Sequence, residues 1–148
     1  LFSDLKLCLA SQAFRRVWMT PEDAAEEPLL RDTAEDVPRL VVLDVARDKT
    51  LVVRGKELKA RRCYAKLKKI SDRFYEQRLD GLVKKHLKFL DAYDKLAVQE
   101  SRLQEQMTRT TNLRKIHDLE DELDDVEDER AAVDRRVEDL WRLRLREL

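Results

Sequence analysis

Catalysis needs nucleophiles, bases or metal ligands gathered at short spacing, and this chain supplies few. His86 and His117 stand 31 positions apart, and neither belongs to a paired ligand motif such as His-Glu-x-x-His. Cys8 and Cys63 are the only thiols. Two isolated cysteines make neither a disulfide framework nor a zinc site, and they fit a reducing compartment. Two glycines cannot build a phosphate-cradling loop, and no serine or cysteine carries a local nucleophile signature. The carboxylates are many but strung along helices. We therefore expect no enzyme, no catalytic, cofactor-binding or metal-ligating residues, no cofactor and no small-molecule substrate.

The residues are better suited to binding charge. Acids and bases balance at 31 each, yet they are unevenly spread. Residues 22–36 hold seven acids and one base, while residues 54–95 hold fourteen bases and six acids, a net of +8. Within the basic segment, Lys59, Arg62, Lys66, Lys69 and Arg73 recur at helical spacing beside an apolar stripe of Cys63, Leu67, Ile70 and Phe74. A helix anchored by its apolar side could lay such a row along an RNA phosphate backbone. Tyr64 and Tyr75 are the nearby candidates for base stacking, although no recognised RNA-binding motif surrounds them.

The strongest pattern lies further on. Ile116, Leu119, Leu123, Val126, Val133, Val137 and Leu140 follow alternating steps of three and four, with Arg130 at the one gap. That is the seam of a coiled coil. An acidic face coats it: Asp118, Glu120, Asp121, Glu122, Asp124, Asp125, Glu127, Asp128 and Glu129, with no base among them. Like charges four apart, such as Asp121/Asp125 and Asp125/Glu129, each cost roughly 0.2–0.5 kcal/mol in an isolated helix. A basic partner would offset that cost, which makes this face a docking candidate. Arg130 reads as a register device, and its replacement by Leu is expected to raise thermal stability and broaden oligomeric states.

The elements that position these residues are mainly α-helical, given 42% charged residues, 6% aromatics and only two glycines and three prolines. Residues 1–19 are read as an amphipathic docking helix with Phe2, Leu5, Leu9, Phe14, Val17 and Trp18 mainly on one side. Their composition, with Asp4 the single acid, would also suit the tail of an organelle-targeting segment, a reading placed behind the docking helix. Residues 20–38 are a short helix and an acidic linker, Thr20 capping a helix that starts at Pro21 and stops before Pro28. Residues 39–55 make a β-hairpin clip, turning at Arg47-Asp48-Lys49 and closed by Gly55. A long basic helix follows over 56–107, with Gly81 permitting a kink. The register breaks at 108–112, and an acidic coiled-coil helix occupies 113–148.

Asn112 can cap that last helix, whose acidic start and arginine-rich end would match its macrodipole. The break leaves two forms open, a helical hairpin or one long helix spanning roughly 140 Å at ~1.5 Å per residue. In a hairpin bent near residue 110, the acidic block would face residues 91–102, which hold three acids and two bases. The chain would not neutralise itself, so a heterotypic helix partner is expected at the seam. No apolar run reaches the ~20 residues of a membrane span.

This combination of docking helix, clip and charged helix is similar to accessory subunits of organellar ribosomes, respiratory or ATP-synthase stalks and ciliary scaffolds. The resemblance is one of architecture. It implies a non-catalytic subunit joining neighbouring proteins in a large assembly, a mitochondrial ribosome first, with RNA contact by the basic face. A cytoskeletal or ciliary coiled-coil scaffold without RNA contact is the alternative, and a regulatory adaptor a third. The corresponding location is intracellular, mitochondrial ahead of cytoplasmic or ciliary.

Overall fold

The computed structural model describes residues 3–31, 38–44 and 49–146. These fall into two compact units, one of residues 1–80 with 144–148 and one of residues 81–143.

In the first unit, helix α1 (Leu5–Ala10) is capped by Asp4, whose Oδ1 accepts from the Leu7 amide at 2.8 Å. It runs into a 3-10 turn at Ser11–Ala13. The expected helix over residues 1–19 is thus much shorter. The chain turns extended at Phe14, with φ −129 and ψ 148, and residues 14–20 are non-helical. Helix α2 (Pro21–Glu26) starts where Thr20 and Pro21 dictate. Thr20 and Asp23 form a reciprocal capping box, and proline takes the first helical position.

Strands β1 (Arg39–Asp44) and β2 (Lys49–Arg54) pair antiparallel, with Leu40 opposite Val53 and Val41 opposite Val52. Most of the expected turn, Arg47 and Asp48, lies outside the described residues, as does much of the acidic linker. A two-stranded ribbon is marginal alone. Here Val41 packs against buried Ala24 and Leu30, and Val53 is fully buried. Gly55 ends the ribbon at φ +54, a left-handed conformation that favours glycine.

Helix α3 (Ala60–Phe74) buries Cys63, Leu67 and Ser71 and packs against α1. The expected continuous helix over 56–107 is broken after Phe74, ahead of Gly81. The cause is the far end of the chain. The Glu76 amide donates to Arg144 O at 3.0 Å, and the Arg146 amide to Phe74 O at 2.8 Å, making an antiparallel bridge between Tyr75 and Leu145. The Asp72 carboxylate then accepts from the Leu79 amide at 2.9 Å, so helix α4 (Leu79–Arg109) restarts with a ready-made cap.

The second unit pairs α4 with α5 (Leu113–Leu140). Tyr93 bonds Asp134 and Glu100 bonds Arg130, so the helices run antiparallel. Leu96, Leu103, Leu119, Val126 and Val133 form their buried core, with Phe89, Tyr93, Met107, Leu123 and Val137 packed around it. The hairpin is therefore the form adopted. Its bend is residues 110–112, and Asn112 Oδ1 accepts from the Arg114 amide at 3.1 Å and the Lys115 amide at 3.4 Å. Helix α5 ends at Leu140 rather than 148, because residues 144–146 are pairing with 74–77.

The macrodipole expectation fails for α5. Its first turn holds Arg114 and Lys115 and no acid, while Glu138 and Asp139 sit in its last turn. Both ends oppose the dipole, so packing rather than end charge must hold this helix. Among the described residues, no helix is long and apolar enough to cross a membrane.

Candidate docking surfaces

The seam residues point into the chain's own hairpin. Leu119, Val126 and Val133 are buried, and Leu123 and Val137 pack beside them against α4. Ile116, Arg130 and Leu140 are half-buried along the same line. The expected heterotypic helix at the seam is corrected here: α4 fills it. The matching row on α4 was hidden by two polar members. Leu82, His86, Phe89, Tyr93, Leu96, Glu100, Leu103 and Met107 alternate steps of four and three, and the residues at 86 and 100 mask the repeat.

Each polar member is answered from α5 or its end. Arg130 Nη2 donates to Glu100 Oε2 at 2.6 Å, with both side chains about one-third exposed, at 38% and 32%. Trp141 Nε1 donates to His86 Nδ1 at 2.8 Å, the rings tilted with centroids 5.8 Å apart. His86 is only 6% exposed, and burial lowers its pKa. Accepting at Nδ1 requires that nitrogen to be unprotonated. Tyr93 is pushed up to about 12 by burial, then by its bond to Asp134.

With the seam closed, the acidic face looks outward. Asp118, Glu120, Asp121, Glu122, Asp124, Asp125, Glu127, Asp128 and Glu129 are all exposed. Among the described residues their one ion pair is Glu120 with His117, at 3.8 Å, and that imidazole is charged only when protonated. The register also corrects what faces the block. Glu100 meets Arg130 and Tyr93 meets Asp134, so residues 93–100 lie beyond the block's C-terminal end. The block runs beside the last turns of α4, where Arg109 is already paired with Glu105.

In the first unit, α3 presents the basic row. Lys59, Arg62, Lys69 and Arg73 are exposed, and Lys66 is half-buried and bonded to Glu57 at 2.9 Å. Among the described residues, Lys59, Arg62 and Lys69 make no ion pair, while the Arg73 guanidinium lies 5.9 Å from the Phe74 ring centroid. Lys68, off this row, pairs with Asp80, whose pKa is lowered by that bond and by Tyr64. The hydroxyls of both tyrosines are bonded within the chain. Tyr64 donates to Asp80 at 2.7 Å, its pKa raised by burial and then by that carboxylate, and Tyr75 donates to Ala13 O at 3.4 Å.

Among the described residues, no group of three or more histidine, cysteine or acidic residues could hold a metal ion. Cys63 is buried, and burial pushes its thiol up, away from the reactive thiolate. No protein family, curated protein or solved structure matches the chain.

Proposed function

We propose that the protein is a non-catalytic accessory subunit of a ribonucleoprotein assembly, a mitochondrial ribosome being the leading candidate. Helix α3 lies along RNA phosphates, and the acidic face of α5 receives a basic protein neighbour. The alternating seam spacing on both helices supports an antiparallel coiled-coil packing of α4 on α5 that keeps this face outward. The reading is carried by one observation: α3 is anchored through Cys63, Leu67 and Ser71, leaving Arg62, Lys69 and Arg73 exposed in a row.

The scaffold alternative drew its force from a seam open to another chain, and α4 occupies that seam. Phosphate contact predicts that RNA affinity falls steeply with salt. Reversing Arg62 and Lys69 to Glu should weaken binding and lower the log–log salt slope by roughly 0.7–0.9 per lost contact. Equal affinity and slope for the variant would remove α3 from the RNA.

A further inference from the structure

The basic row on α3 has a gap that the chain fills from within. Steps of four, three and four put Arg62, Lys66, Lys69 and Arg73 within about 60° of arc on one side of the helix. Arg62, Lys69 and Arg73 are exposed, whereas the Lys66 ammonium donates to Glu57 Oε2 at 2.9 Å. With Lys66 engaged, roughly 10 Å of helix axis separates Arg62 from Lys69. Glu57 is brought there by the backbone ahead of the helix. Gly55 opens the 3-10 turn Gly55–Glu57, the Leu58 amide donates to Gly55 O at 3.1 Å, and the Lys59 amide to Glu57 O at 2.7 Å. Lys59 is the N-cap of α3, so Glu57 stands two residues ahead of the cap, at the positive end of the helix. Its pKa is lowered, by the hydrogen bond to Lys66 first, then by that cation's charge and by Arg62. The Glu57 side chain is 49% exposed and that of Lys66 33%, and exposed ion pairs hold a fold together only weakly.

We propose, on the phosphate-binding reading of α3, that Glu57 is an intrachain competitor for the phosphate position at Lys66 and so limits how tightly α3 holds RNA. Carboxylate and phosphate oxygens accept the same charge-assisted hydrogen bond from an ammonium. The Glu57 carboxylate neutralises Lys66, and a neutralised cation adds nothing to the counterion release on which RNA affinity depends. Removing that negative charge would turn three free cations in the line into four, at successive steps of roughly 4.5–6 Å along the axis.

The test measures binding of the full chain to short oligouridylate, and to that strand paired with oligoadenylate, across a salt series. Glu57→Gln keeps the shape of the side chain. It should tighten binding by up to about eightfold at about 0.1 M salt and steepen the log–log salt slope by roughly 0.7–0.9, one phosphate contact. In a Lys66→Met background the same substitution should leave the slope unchanged, because no ammonium remains to be released. A slope that Glu57→Gln leaves unchanged, or a steepening that persists without Lys66, would overturn the competition and leave the phosphate reading of α3 standing. If neither RNA binds the native chain or Glu57→Gln, both fall.

Discussion

Arg130 and Glu100 make sense only as a pair. Each occupies a seam position where an apolar residue would pack, and each supplies the charge the other needs at 2.6 Å. The sequence made Arg130 visible because its neighbours are otherwise apolar. Glu100 was invisible, being one acid among many on a charged helix. The pairing reverses what is expected of Arg130→Leu alone. That variant leaves a half-buried carboxylate unanswered and should destabilise by about 1 kcal/mol. Replacing both Arg130 and Glu100 with Leu should raise the melting temperature above the native value, at the cost of register. Thermal melts with light scattering check this, and a stable single variant would show that the pair contributes nothing.

At the scale of elements, short-range signals read well and end-to-end ones did not. Thr20-Pro21 and Asn112 fixed helix starts through their own side chains, and short runs rich in β-branched residues marked the ribbon. The split between α3 and α4 could not be read from residues 75–78, because its causes are Asp72 and residues 144–146. Trp141, the residue that closes α5, is likewise tied to a distant residue, His86. This closure should be pH-sensitive. The folded-state pKa of His86 lies below its ordinary 6.5, because burial opposes charge, whereas the unfolded chain recovers that value. The stabilisation is fully present above the unfolded pKa and is lost as pH falls through 6.5 towards the lowered folded value. Denaturation midpoints on the two sides of that window should differ in the native chain and converge in His86→Gln, which keeps an acceptor but does not titrate.

For the whole molecule, net neutrality conceals an imbalance that folding does not repair. The exposed acids of α5 meet almost no base within the described chain, so the folded protein carries repulsion that a solvated surface need not have. Asp125→Lys would turn the Asp121 and Glu129 repulsions into attractions and should stabilise the isolated protein by about 1 kcal/mol. The gain should shrink at high salt. Capture of basic partners should weaken in the same variant, and unchanged stability at low salt would show that the acid coat costs nothing. The coat and the basic row were legible as charge runs. Which side of the seam faced solvent was not, since that depended on the masked repeat in α4.

The pairing of residues 74–77 with 144–146 has one more consequence. The polypeptide leaves the first unit and returns to it through neighbouring, hydrogen-bonded segments. Residues 81–143 are thus an insertion with a clasped mouth, which evolution could lengthen, shorten or exchange by whole helical turns without moving the ends that the remaining fold must hold.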